Sequence, residues 1–403
     1  MHKDIFRISW KTLVSAFFFL FLLASLGYYL AQPFLLRVLS LVVPLLFIPY
    51  LFAFSSKKVF NFSITLFLGF SIIIFFSSIA QERPLLHALY YILILTSNLF
   101  FALVLSEGKI STTTSLFYFL LVLIILGFVV FSEAGYQLGD RGIKNLSSWL
   151  ILSASALFYL VTYQNKHPQS YPVWPALLSF ILSLWAVGRS GIISTGLIFC
   201  GVLLFNLFGR KNFLSTILPI VLLIGIATFS VSILLPDTLQ MVANRFAEEG
   251  IQSPGRVMLF RYYLEKIQTI TPFLFGYNIR NDLFMVVWNF NLHNSFLQLH
   301  HIAGIGGIVI LLSIFWGIVN KGRDCFLLWF IGFGLIFRVF TDTVALMGPL
   351  DFLFIYFIIP NTRQRKNPDY SDNTYLLKKQ RSSSVLCKME MDKNAKGNPH
   401  YCK

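Results

Sequence analysis

Twelve apolar runs leave this chain essentially one environment to fold in. They lie near residues 12–31, 34–54, 62–80, 85–105, 112–132, 147–163, 171–188, 190–208, 214–235, 300–319, 325–342 and 345–360. A helix of about twenty residues crosses a bilayer core of roughly 30 Å. The spacing therefore predicts an all-α polytopic integral membrane protein with about twelve transmembrane helices over residues 1–360. Charged residues make up only 12% of the chain, where soluble proteins are about a quarter charged. The mean hydropathy is +0.72.

The formal charge of +15 does not point to nucleic acid. Basic residues sit between apolar runs and in the tail, with no aromatic-interleaved basic domain. They read as a topology signal. Threading the runs from a cytoplasmic N-terminus puts Lys3, Arg7, Lys11, Lys57, Lys58, Lys109, Lys166, Arg210, Lys211, Lys321, Arg323 and the whole tail on one side. The positive-inside rule makes that side the cytoplasm. Both termini are then inside, and a large loop at 236–299 between spans nine and ten faces outward. The first run leads directly into another span and lacks a small-residue cleavage site, so it is expected to be an anchor, not a removable signal. None of the four cysteines, Cys200, Cys325, Cys387 and Cys402, falls on the outer side, and no spacing resembles a zinc site. Residues 361–403 carry ten Lys/Arg and are expected to form a mobile cytoplasmic tail with at most a loose attraction to membrane lipids. The runs show no internal repeat of the transporter kind.

Function is expected in the outer loop. Ser253-Pro254-Gly255-Arg256 opens an expected amphipathic helix with Val257, Phe260, Leu264 and Ile267 on its apolar face, suited to lie along the membrane surface. An arginine at a helix N-terminus makes an anion seat, although an exposed loop arginine explains Arg256 equally well. Arg189, in Gly188-Arg189-Ser190-Gly191, lies at an outer turn between two spans. A lipid-facing arginine at mid-membrane costs about 3 kcal/mol or more, so it should face protein or water unless it snorkels at a helix end. His293, in Leu292-His293-Asn294-Ser295-Phe296-Leu297, precedes the next span, with Gly304, Gly306 and Gly307 allowing close helix packing. A lone histidine is usually structural, and His300 and His301 stand nearby. Taken together, two arginines and a histidine have the makings of a diphosphate clamp and a proton acceptor. Glu248, Glu249 and Asp282 are too scattered for a divalent-metal site.

The order of these elements resembles the O-antigen ligase and O-antigen polymerase superfamily. The residues that carry the likeness run from about Arg141 to Pro360: Gly-Arg-Ser-Gly at a span edge, Gly-Arg with a downstream Pro272 and Gly276 in a large outer loop, then His-Asn before a glycine-rich helix start. The resemblance implies a GT-C-type membrane glycosyltransferase of the bacterial inner membrane, with its active site on the periplasmic face. It would use an undecaprenyl-diphosphate-linked oligosaccharide and transfer the glycan, with inversion, to an acceptor hydroxyl. It implies no nucleotide sugar, cofactor or metal. Carried over, Arg189 and Arg256 would grip the diphosphate and His293 would orient or deprotonate the acceptor. Arg141, Arg261, Asn294, Arg338 and Asp342 are expected to assist in substrate binding, with a structural Arg338–Asp342 ion pair as the competing explanation. Phe337 to Thr343 and Gly348 to Phe352 look closer to the polymerase branch, whose acceptor is a second lipid-linked repeat unit and whose further partner would be a chain-length regulator. The ligase branch would deliver to lipid A–core. A polysaccharide flippase or a non-catalytic membrane scaffold is the reading from another class. The former predicts charges spread along many spans, and the latter needs no arginine within the membrane.

Overall fold

The computed structural model describes residues 10–31, 34–45, 57–131, 141–166, 168–186, 188–208, 254–343 and 348–360, with a few isolated positions between 225 and 247. The expected span at 214–235, most of the loop before Pro254 and the tail at 361–403 lie outside the described residues. Among the described residues every regular element is helical.

The first half is a set of long apolar helices: α1 (Trp10–Ala31), α2 (Phe34–Leu45), α3 (Lys57–Ala80), α4 (Leu85–Ser106), α5 (Thr112–Phe131), α6 (Arg141–Lys166), α7 (Trp174–Trp185) and α8 (Arg189–Phe208). After Pro254 come α9 (Pro254–Lys266), α10 (Ile270–Phe275), a single 3-10 turn (Ile279–Asn281), α11 (Leu283–Val286) and α12 (Ser295–Ala303). The chain then forms α13 (Ile305–Asp324), α14 (Leu327–Thr341) and α15 (Phe352–Ile358). Six helices, α1, α3, α4, α6, α8 and α13, are long and apolar enough to cross a membrane.

Burial separates these helices by role. In α6, 94% of the apolar window is buried, against 22% in α3. Small residues explain the position of α6: Ser147, Ser148, Ser153, Ala154, Ser155 and Ala156 are all buried and let neighbouring backbones come close. α5, α7 and α8 pack directly on it. By contrast α3 turns Ile64, Leu68, Ile72, Phe76 and Ile79 outward along one side, as a lipid-facing helix does.

Two expected spans take a different form. In the described part of the run at 345–360, from Gly348 onward, the helix covers the seven residues Phe352–Ile358, about 10 Å of rise, and six of the seven side chains are buried. It is a short plug buried among the other helices. Asn98 of α4 accepts from the Phe352 N–H at 2.8 Å and donates to the Gly348 carbonyl at 2.8 Å, so a polar side chain inside the core holds this segment's start. Phe352 then packs edge-on to Phe18 of α1 with 5.5 Å between ring centroids. The run at 300–319 breaks at Gly304, whose φ is +56°. A Cβ there would lie 2.0 Å from the Leu274 carbonyl oxygen, so the span begins at Ile305 and α12 turns away from it.

The described part of the long loop before Ile305 folds as a helical cap with a small core of its own. Leu259, Tyr263, Ile279, Met285, Leu292 and Leu297 bury one another. α9 forms as expected, but its buried side is Leu259 and Tyr263, while Val257 and Leu264 are 37% and 42% exposed. Of the expected apolar face, Phe260 and Ile267 pack against this core while Val257 and Leu264 stay exposed. Spacing alone does not tell which of two apolar stripes meets protein.

Candidate functional site

Arg256, His293, Arg338 and Asp342 meet where this cap rests on the end of α14. Asp342 follows the last turn of α14 in an extended conformation and is nearly buried. Its Oδ2 lies 3.5 Å from Arg338 Nη1 and 4.0 Å from Arg256 Nη2, and its Oδ1 lies 3.9 Å from His293 Nδ1. Two guanidiniums against one carboxylate leave an excess of positive charge at the site.

The two arginines have different environments. Arg338 is wholly buried. It donates to the Ser190 hydroxyl at 2.9 Å and to the Asn145 carbonyl at 2.6 Å, tying α14 to the first turns of α8 and α6. The close approach of α8 explains the glycine at 191: a Cβ there would stand 2.4 Å from Ser148 Cβ on α6. Arg338 is therefore a positioning residue that fixes Asp342. Arg256, in the first turn of α9, donates to the Thr341 carbonyl and keeps 22% of its side chain exposed. It lines a cleft of about 140 Å³ with Val257, Phe260, His293, Asn294 and Phe340.

His293 is held by its backbone. Its φ of +48° is a left-handed conformation that a histidine rarely adopts, and Asn289 and Phe290 share it at +50° and +55°. Asn291 Oδ1 accepts from the His293 N–H at 2.8 Å and also from the Thr343 hydroxyl, joining this turn to the residue after Asp342. The Trp288 ring stands edge-on to the imidazole at 6.1 Å, and its other side fills the space above Gly255, where a Cβ would come within 2.8 Å. The imidazole Nδ1 is buried without a hydrogen-bond partner, although Asp342 faces it.

Asn294 lines the cleft with its amide committed to structure. Its Oδ1 caps α12 by accepting from Phe296 and Leu297 N–H groups at 2.8 and 3.1 Å, and its Nδ2 donates to the Phe340 carbonyl at 2.9 Å. Arg189 opens α8 beside Ser190 and does not line this cleft. Arg261 is exposed on α9 and does not line it either. Arg141 begins α6, and its side chain lies outside the described residues. Asp282 serves the cap: it accepts from Tyr262 and Tyr277 hydroxyls at 2.6 and 2.8 Å and from the Phe284 N–H at 2.9 Å.

Sequence reasoning gave Ser190 no role of its own although it stands in the Gly-Arg-Ser-Gly motif, and it missed Asn145, Asn291 and Trp288, which carry no charge. It also missed Arg83, a basic residue in the short turn between α3 and α4. The signal there was the one that singled out Arg189 and Arg256, a positive charge on the side the topology leaves poor in them.

The fold defines a class: among the described residues, a helical protein with six helices of membrane-crossing length and polarity, carrying a cationic cleft where a helical cap meets the bundle. Comparison with family models, with curated proteins and with solved structures gives no match.

Proposed function

We propose that the protein is a glycosyltransferase of the bacterial inner membrane. In this account it transfers a glycan from an undecaprenyl-diphosphate carrier to an acceptor sugar hydroxyl on the periplasmic face. Repeat-unit polymerisation is the favoured form of the reaction. The observation that supports it is the convergence of Arg256 and His293 on one cleft beside Asp342.

The chemistry follows from the charges. Arg256 presents a guanidinium fork at the cleft, suited to the oxygens of a leaving diphosphate. Its own carboxylate neighbour is already engaged by Arg338, so its charge is not fully neutralised within the protein. A carboxylate facing Nδ1 favours the imidazole proton on that nitrogen and leaves the Nε2 lone pair to accept a proton from an attacking hydroxyl. Attack of that hydroxyl on the anomeric carbon forms the new glycosidic bond and breaks the bond to the diphosphate oxygen. The acceptor's proton passes to His293, and configuration inverts. Arg189 assists the diphosphate from the start of α8 in this proposal, and the chemistry asks for no metal.

The test is the glycan ladder of a host lacking the gene. Single repeat units capped on lipid A–core indicate a lost polymerase. Long lipid-linked chains absent from the core indicate a lost ligase, and an unchanged ladder contradicts both.

A further inference from the structure

A second cationic site lies outside the Arg256 cleft, where the turn after α3 meets the cap. Arg83 sits between α3 and α4 and is 8% exposed. Its Nη2 donates to the His301 carbonyl at 2.9 Å. Nη2 also lies 2.7 Å from His301 Nδ1 and 2.9 Å from His301 Nε2, and that Nδ1 donates to the Tyr277 carbonyl at 2.5 Å. The remaining donors of Arg83, Nε and Nη1, are buried and have no partner. Among the described residues no carboxylate lies within ion-pairing distance of this guanidinium. Burial pushes Arg83 down to about 10, which still leaves it charged at neutral pH.

A buried charge with two empty donors is costly unless something outside the chain meets it. One further guanidinium, that of Arg280, and the imidazole of His87 lie within electrostatic range of Arg83. Arg280 is exposed, and its turn is fixed to the Arg83 turn by Asn278, whose Nδ2 donates to the Gln81 carbonyl at 3.1 Å. His87 Nδ1 is also buried without a partner. This assembly is built for an anion.

The surroundings identify the anion's carrier. Immediately beyond Arg83, α4 exposes Leu86, Leu89 and Leu93 at helical spacing, by 77%, 48% and 39%. On the cap, Leu283 next to the Arg280 turn is 87% exposed. A phosphate seat at the head of an apolar stripe matches an amphiphile, whereas a free anion has no use for the stripe.

We propose that Arg83, with Arg280 and His87, binds the phosphate or diphosphate headgroup of a lipid whose tail lies along the outward face of α4. The site is separate from the Arg256 cleft, and its occupancy does not depend on whether the protein transfers glycans.

Native mass spectrometry of the full chain tests this, in an Arg256→Gln background that removes the cleft guanidinium. The protein is titrated with phosphatidic acid, phosphatidylcholine and inorganic pyrophosphate. Phosphatidic acid should bind about ten-fold or more tighter than phosphatidylcholine, and Arg83→Gln should abolish that preference. Arg280→Gln, at an exposed position that cannot disturb folding, should weaken phosphatidic acid by about three-fold. Equal affinity for both lipids, no effect of Arg280→Gln, or pyrophosphate binding as tightly as the lipid would each overturn the proposal.

Discussion

Asp342 Oδ1 faces His293 Nδ1 at 3.9 Å, about 1 Å beyond hydrogen-bond length, while its Oδ2 faces two arginines. One carboxylate thus faces an imidazole, anchors a buried guanidinium and leaves a second guanidinium at the cleft with charge to spare. Removing it should have two separable effects. Asp342→Asn leaves Arg338 buried without its counter-charge and should destabilise the protein by about 3–5 kcal/mol. Thermal unfolding in detergent measures this. The double change Arg338→Met, Asp342→Leu should recover most of the stability and none of the transfer activity. Recovery of both would make the pair purely structural.

Asn294 tests how tightly the site depends on the cap of α12. Asn294→Ala loses the bonds to the Phe296 and Leu297 N–H groups and should cost about 1 kcal/mol. Transfer should fall more than this suggests, because His293 precedes the cap directly. Asn294→Asp keeps the capping oxygen but sets a carboxylate oxygen against the Phe340 carbonyl, so any loss of stability it shows reports that second bond. Comparing melting and turnover of the two variants separates capping from the bond to Phe340.

Much of this architecture was legible in the sequence, and the failures have common causes. Long apolar runs gave helices because burying a backbone in hydrocarbon leaves little else. They did not reveal that Phe352–Ile358 would be a plug, since a lipid-facing helix and a protein-buried one are equally apolar. What decides it is Asn98, some 250 positions away in the chain. The choice of Arg256 and His293 rested on sidedness, and they do share a cleft. Arg189 rested on the same argument but does not line the cleft, while its neighbour Ser190 accepts from Arg338 of the cluster. The roles of Arg338 and Asp342 could not be separated without knowing that one is wholly buried and the other faces His293.

Gly304 should be intolerant of any side chain. Its φ of +56° and the Leu274 carbonyl oxygen 2.0 Å from a Cβ combine strain with backbone overlap. Gly304→Ala should cost about 1–3 kcal/mol or more and lower the yield of folded protein. Gly69, where a Cβ meets nothing within 4 Å, is the control, and Gly69→Ala should be neutral or slightly stabilising.

The cap should be sensitive to acid through Asp282. Against the raising effect of burial, the hydroxyls of Tyr262 and Tyr277 and the Phe284 N–H hold its carboxyl below the ordinary value. Because the folded value is depressed, this stabilisation is present above the ordinary aspartate range and is lost as pH falls through the lower folded value. Hydrogen exchange over residues 254–303 should rise in that acid window. In Asp282→Asn it should already be raised at neutral pH and lack the acid step. An identical acid step in Asp282→Asn would assign it to another group.

The most direct measurement of the central claim is chain growth by the purified protein in liposomes supplied with lipid-linked repeat units. The wild-type protein should build oligomers without a nucleotide sugar, and His293→Gln and Arg256→Gln should each insert and melt normally yet lose product by about a hundred-fold or more. Undiminished elongation in both variants would contradict the account.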